Sequence, residues 1–294
     1  MRRLRRQRPG ARWFVTARCT RGEFRFRPDA ERRALVTFYL AKAARRYPQV
    51  ALHALVVMSN HIQIVVTDGA GQLSAFMRHA LGPLARSINR LDGVRGPLFE
   101  RRYSASEIVD DEALLERIEY TATNPVAANL VKRVQDWGGL CLWQGGRIEA
   151  EGWVDGRLAT SVQGTRPRRG EAGSTKEVVT LRITPVTVLD AETTPRLKQG
   201  VARRVRNLRR RRGKGSVIGM RRVLKFGVFR KPNAMVRTPE PLCHATSPQV
   251  WSAFREGWRR FCGQYRAASA AFRRGDLMSV FPRFAFRPPA PPIT

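Results

Sequence analysis

Four side chains in two short stretches have the types and spacing for phosphoryl transfer. In the run His61-Ile62-Gln63-Ile64-Val65-Val66, a strand would alternate its side chains, sending His61 and Gln63 to one face and Ile62, Ile64 and Val66 to the other. Tyr120 and Asn124 have the spacing that stacks two residues on one side of a helix. If that helix crosses the strand face bearing His61 and Gln63, one cluster holds an imidazole, two amide oxygens and a phenol. Such a cluster suits a hard divalent cation and a phosphodiester together. A deprotonated Tyr120 would attack phosphorus in line, leaving a covalent phosphotyrosine and a free hydroxyl on the other strand end. Each half also has a plainer reading. A half-buried strand edge shows the same alternation, and a helix tyrosine ordinarily packs its ring with the hydroxyl in solvent.

The elements that must position these residues follow a β-α-β-β-α-β order. Residues 12–19 carry β-branched and aromatic side chains and predict a first strand. Pro28-Asp29 opens a helix whose apolar side, Leu35, Phe38, Leu40, Ala43 and Ala44, runs to Tyr47-Pro48. Residues 50–58 predict a buried second strand, and Ser59-Asn60 separates it from a third at 61–67. A turn at Asp68-Gly69-Ala70-Gly71 leads to a helix over 72–91 that Gly93 ends; a fourth strand follows at 102–109, after Gly96-Pro97. Asp110-Asp111 then opens a helix reaching about Thr123, its carboxylates at the positive end of the dipole. Because a residue before proline is pushed out of the α region, Asn124-Pro125 is expected to break that helix and Pro125 to open another. The fold class is therefore α+β, a ferredoxin-like split β-α-β with an antiparallel sheet and helices on one face. Many functions share that fold.

Charge narrows the partner. The 294 residues carry a formal net charge of +32, and only seven of the 55 basic residues are lysine. A GC-rich genome explains arginine over lysine but not the excess of basic over acidic residues. Guanidinium forks match phosphate and stack on bases, so nucleic acid is the expected partner. Cys19, Cys141, Cys243 and Cys262 form no C-x-x-C pair, which speaks against a zinc ribbon or a disulfide framework. No window approaches the roughly 20 apolar residues of a membrane span, and the basic start is not followed by a signal-like apolar stretch. The expectation is a cytoplasmic, nucleoid-associated protein with no membrane contact.

Beyond the first 140 residues the signals weaken. Residues 141–195 read as a linker or loosely structured region, with Gly, Ser, Thr, Pro and Arg dominating 155–175. Residues 196–294 read as a basic, mainly helical C-terminal region. Within it Val201, Val205 and Leu208 lie at helical spacing amid Arg203, Arg204, Arg206, Arg209, Arg210, Arg211 and Arg212, a candidate DNA-backbone grip with strong salt dependence. Residues 248–274 form an amphipathic helix whose aromatic stripe, Trp251 to Phe272, reads as core. Arg101 and Arg102 are further candidates for phosphate contact. His53 and His79 read as structural histidines, and Cys243-His244 as half a metal site without a partner pair.

Three blocks carry a family resemblance: residues 58–66 (Met-Ser-Asn-His-Ile-Gln-Ile-Val-Val), 96–103 (Gly-Pro-Leu-Phe-Glu-Arg-Arg-Tyr) and 120–131 (Tyr-Thr-Ala-Thr-Asn-Pro-Val-Ala-Ala-Asn-Leu-Val). In order and spacing they resemble the signature blocks of the REP-associated tyrosine transposases, single-tyrosine members of the His-hydrophobic-His endonucleases. The resemblance covers roughly residues 10–140 and makes residues 1–140 the expected transposase-type domain. It implies a ferredoxin-like fold that cuts and rejoins single-stranded DNA beside hairpins using Mg or Mn, and a homodimer. Matched residue by residue, His61 is the first metal histidine, Tyr120 the nucleophile and Asn124 the amide completing the metal site. Gln63 departs from the family, which usually has a second histidine there; a neutral amide should weaken metal binding, although viral replication initiators of the same superfamily resemble this chain in that glutamine. Tyr103, a rival nucleophile, falls in a block that is structural in the family.

Three functions follow as alternatives. One is a metal-dependent single-strand DNA transposase or endonuclease. Another is a catalytically weakened DNA-hairpin-binding descendant, which Gln63 favours. The third, an RNA-binding sheet platform, predicts solvent-facing aromatics on the central strands, and residues 61–67 contain none.

Overall fold

The structure, a computed structural model, describes residues 4–155, 162–163, 174–186, 193–233 and 240–289. Strand β1 (Ala11–Arg18) leads to helix α1 (Ala30–Arg46), then strands β2 (Val50–Met58) and β3 (His61–Asp68), helix α2 (Leu73–Leu91), strand β4 (Ser104–Ile108) and helix α3 (Asp111–Ala127). β1 lies between β3 and β4 and antiparallel to both, with β2 outside β3. This is the expected split β-α-β sheet. Asp68 fixes the entry to α2, accepting hydrogen bonds from the backbone N–H of Gln72 (2.7 Å) and Leu73 (2.8 Å). Gly71 serves the preceding turn: its φ is +71°, and a Cβ would press on the Gln7 carbonyl.

Side-chain alternation divides the sheet. Ile62, Ile64 and Val66 join Val15, Leu52 and Leu55 in one apolar cluster with Phe38 and Leu40 of α1 and Phe76 and Leu84 of α2. The opposite face is covered by α3, whose Leu114, Leu115 and Ile118 pack on Ala54, Val65 and Ile108. The expected arrangement of helices on one face thus holds for α1 and α2, while α3 takes the other.

Two sequence expectations are corrected. The helix does not break at Asn124, since α3 runs through Pro125 to Ala127. Pro125 falls in the last turn, so the helix forgoes the N–H bond that would reach the Thr121 carbonyl and ends two residues later. The stop comes at Asn129, in the left-handed region at φ 56°, with the Leu130 N–H donating to the Pro125 carbonyl at 3.0 Å. The second correction concerns 141–195, which is not a loose linker where it is described. After the short strand β5 (Cys141–Leu142) on the β2 edge, strand β6 (Gly146–Asp155) pairs with β7 (Val162–Gln163) and β8 (Ser174–Ile183) in a second sheet. Its alternating residues Ile148, Ala150, Val179, Leu181 and Ile183 belong to the α1 cluster, and Glu177 binds Lys42 of α1 at 2.7 Å. That alternation is legible in each strand, but the Gly- and Arg-rich stretch between them hides the pairing. Most of residues 155–175 lie outside the described residues.

The chain then returns to the first domain. Helix α4 (Thr193–Arg212) packs along α3, placing Leu197 against Leu114 and Ile118 and Val205 and Leu208 beside Met58 and Val126. Gly200 allows the approach, because a Cβ there would overlap the Glu119 carboxylate. Helix α5 (Met220–Leu224) follows, and strand β9 (Cys243–His244) pairs in parallel with the β4 edge. Helix α6 (Pro248–Arg273) buries Phe261 and Phe272 but leaves Trp251 37% exposed, so its aromatic stripe is core only in part. No helix among the described residues is long and apolar enough to cross a membrane.

Candidate active site

The site is built where α3 crosses β3. Gln63 projects from the middle of the strand, opposite Val56 of β2 and Thr16 of β1. Asn124, in the last turns of α3, donates from Nδ2 to Gln63 Oε1 at 2.7 Å. Both are buried, at 5% and 9% exposure. Removing one partner would leave the other amide unsatisfied, at a cost of about 1–3 kcal/mol. The pair fixes α3 over the strand and so sets the position of Tyr120, one helical turn before Asn124.

His61 lies one alternation before Gln63, on the same face of β3, across from Arg18 of β1. Its Nδ1–H donates to Asn60 Oδ1 at 2.7 Å, which leaves Nε2 with the free lone pair. The residue keeps some surface exposure, yet burial of the ring, reinforced by the Arg18 guanidinium, pushes its pKa down to about 3. The imidazole is therefore neutral at physiological pH, the state a metal ligand requires. Together His61, Gln63 and Asn124 offer neutral nitrogen and oxygen donors with no carboxylate. The Gln63 oxygen is engaged by Asn124, and among the described residues no cluster of three His, Cys, Asp or Glu side chains provides a self-sufficient metal site.

Tyr120 is half-buried. Its ring stands edge-on to Phe14 of β1, centroids 5.8 Å apart, with the guanidinium carbons of Arg117 and Arg204 at 5.0 and 5.4 Å from its centroid. Its hydroxyl makes no hydrogen bond among the described residues. Phe14 also meets the His244 ring edge-on at 5.4 Å. Burial and the nearby Arg117 lower the His244 pKa to about 4, and burial pushes the neighbouring Glu119 carboxyl up, against the pull of Arg203 and Arg204.

Of the four residues singled out from sequence the structure joins two, Gln63 and Asn124; Tyr120 packs on Phe14, opposite Val65, and His61 lies across from Arg18 at the start of β3. The basic candidates scatter. Arg203, Arg206, Arg209, Arg210 and Arg211 are exposed along α4, Arg203 lying 4.0 Å from Glu119. Arg212 turns back to bind the Asn129 side chain (2.7 Å) and the Val126 carbonyl (2.9 Å), closing the end of α3. Arg204 points to Tyr120. Arg101 pairs with Glu240 at 2.5 Å, and Arg102 is exposed. Both leave the sheet at the His61 end, because the neighbouring Glu100 N–H donates to the Arg18 carbonyl (3.0 Å) opposite His61.

Other candidates have structural places. His53 donates from Nδ1 to the Thr184 carbonyl (2.9 Å) and accepts from the Thr67 hydroxyl (2.8 Å). Tyr103 is 7% exposed, donates to Ser74 (3.3 Å) and lies under the Arg5 guanidinium. Sequence reasoning missed Arg117 and His244 near the tyrosine. Arg117 was findable, one turn before Tyr120 on the same helix; His244 was not, since only the pairing of β9 with β4 brings it there.

Fold and site define an α+β domain of split β-α-β type, in which one helix carries a partly exposed tyrosine one turn before the asparagine of a buried amide pair. Among solved structures, this chain is similar to a REP-associated tyrosine transposase bound to a REP hairpin, at 21% identity over 47% of this chain and 78% of the other, with a TM-score of 0.38. No protein-family model and no curated protein matches it.

Proposed function

We propose that this protein is a transposase or endonuclease that cleaves and rejoins single-stranded DNA near hairpins through a covalent link to Tyr120. The observation that carries this reading is the docking of Asn124 on Gln63 (2.7 Å), which sets α3, and with it Tyr120, across the strand that also bears the neutral His61. The three signature blocks of the sequence and the net charge of +32 support it. His61, Gln63 and Asn124 would hold Mg or Mn, which when bound polarises a nonbridging phosphate oxygen. Tyr120 Oη attacks phosphorus in line and the ring packing against Phe14 restricts its approach. The exposed arginines of α4 hold the flanking DNA backbone. Pairing of two copies and a cytoplasmic, nucleoid-associated location belong to the same reading.

A second reading, a hairpin-binding protein that no longer cuts, is favoured by the donor set. Gln63 supplies an amide where the family resemblance implies imidazole, and its oxygen already accepts a hydrogen bond. One experiment separates the two: incubate the full chain with hairpin-bearing single-stranded oligonucleotides and Mn or Mg, and resolve the products on a denaturing gel. The enzyme reading predicts a protein–DNA adduct that Tyr120→Phe abolishes. Adduct surviving that substitution refutes the nucleophile. No adduct from the parent but full adduct from Gln63→His establishes the binding reading.

A further inference from the structure

Three nitrogens near Tyr120 are buried without a hydrogen-bond partner: Nε of Arg117, Nε of Arg204 and Nε2 of His244. Such groups are rare in folded proteins, and here two of them belong to guanidiniums at the Tyr120 ring and the third to the ring packed on the other side chain of the pair, Phe14. The Arg117 and Arg204 guanidiniums, at 5.0 and 5.4 Å from the Tyr120 ring centroid, are close enough to depress the Arg117 pKa through mutual repulsion, in addition to its burial. Among the described residues no carboxylate hydrogen-bonds to either guanidinium, although Glu119 is near enough to feel the charge of Arg204. Glu116 approaches Arg117 only to 4.0 Å and is 59% exposed, while Glu119 lies 4.0 Å from Arg203. Arg204 has no hydrogen bond or ion pair within the described residues. Both guanidiniums gain cation–π attraction from the phenol ring, but that contact leaves their Nε donors unmet. The two groups leave an excess of donors where an anion would satisfy them.

The charge balance of the whole site points the same way. The donors His61, Gln63 and Asn124 are neutral, and the guanidinium beside His61 is that of Arg18, an exposed residue. Positive charge is concentrated instead on the Tyr120 side, and half of it comes from α4. Gly200, one turn before Arg204, faces the carboxylate of Glu119, so α4 runs close to the residue preceding Tyr120.

Building on the phosphotyrosine reading, we propose that Arg117 and Arg204 form the anion site for the scissile phosphodiester, so that α4 completes the active site. The two guanidiniums hold the nonbridging oxygens while Tyr120 Oη bonds to phosphorus and the bond from phosphorus to one deoxyribose oxygen breaks. The phenol proton passes to solvent and the departing oxygen takes a proton from solvent. The same guanidiniums then hold the phosphotyrosine until the reverse attack by a strand-end hydroxyl. Arg204 is thereby separated from Arg203, Arg206, Arg209, Arg210 and Arg211 of α4, which face solvent and bind backbone phosphates elsewhere.

The test uses the full chain and two readouts. In single-turnover adduct formation, Arg117→Gln and Arg204→Gln should each slow the reaction by about 100-fold or more, with hairpin affinity changed less than about threefold and Arg204→Lys partly restoring the rate. Arg78→Gln, on the exposed side of α2, is the control for loss of charge and should react at the parent rate. In the second readout, inorganic phosphate should raise the thermal midpoint of the parent and not that of Arg204→Gln. A parent rate in Arg204→Gln, or a rate loss matched by an equal loss of hairpin affinity, overturns the proposal. If the parent forms no adduct, the cleavage reading fails and the phosphate readout decides alone: equal stabilisation of parent and Arg204→Gln overturns the anion site, and selective loss in the variant upholds it.

Discussion

The two faces of the six-stranded sheet follow opposite plans. Under α1 and α2 the strand residues enter one continuous apolar cluster that extends to the second sheet. Under α3 the apolar residues form two smaller groups, one around Val65, Leu114 and Ile118 and one around Val56, Met58 and Val126, with the Gln63–Asn124 pair at their boundary. A single strand feeds both, since β3 sends Ile62, Ile64 and Val66 one way and His61 and Gln63 the other. The first face supplies enough burial for the second to carry polar and charged groups with incomplete hydrogen bonding. A one-residue slip of β3 would exchange the two sets, and the buried amide bond opposes that slip.

Substitutions on the two faces should therefore fail differently. Phe76, fully buried beneath α2, should cost about 3–5 kcal/mol on change to Ala, through lost burial and a residual cavity. Chemical denaturation would show this as a large drop in midpoint; a loss under 1 kcal/mol would mean that the first face does not carry the fold. Gln63→Leu should cost less, about 1–3 kcal/mol, because it strands the Asn124 amide. The Gln63→Leu/Asn124→Leu pair should recover part of that loss, which a double-mutant cycle measures, and strict additivity of the two singles would contradict their coupling.

The effect of pH is of similar size. The unfolded chain protonates His61 near 6.5, whereas the folded chain resists until about 3. Between those values the unfolded state holds more protons, so the stability contributed is full above about 6.5 and is lost as pH falls toward 3. His53 and His244, also lowered, act with the same sign. Melting temperature should fall from pH 7.5 to 5, and His61→Gln should reduce the fall; a curve unchanged by His61→Gln would show an accessible, ordinary imidazole. The smallest effect belongs to the solvent side of α4. Arg206→Gln with Arg210→Gln should leave the melting temperature unaltered while reducing the slope of log affinity against log salt by about 0.7–0.9 per lost phosphate contact. Deleting α4 would not test this, because Leu197 and Val201 anchor the helix.

The legibility of each face in the sequence follows from how its residues are joined. Alternation in β3 and the apolar stripes of α1 and α2 are local patterns, so the first face was readable from spacing alone. On the second face the spacing of Tyr120 and Asn124 was readable, and so was the presence of α3. The continuation of α3 through Pro125 was not, because it depends on a left-handed stop at Asn129 rather than on the proline. The second sheet was missed since β6 and β8 pair across a long Gly- and Arg-rich segment. Arg204 was visible only as one arginine among seven. Its place at Tyr120 depends on how closely α4 approaches at Gly200, which no local pattern states.

The central claim is that the second face exists to present one nucleophile, and peptide mapping tests it most directly. The parent protein is reacted with a hairpin-bearing single-stranded oligonucleotide, digested with nuclease and protease, and its peptides are weighed by mass spectrometry. The account predicts a nucleotide phosphate attached to the peptide containing Tyr120 and to no other. Attachment at Tyr103 or at a serine, with Tyr120 unmodified, would contradict it.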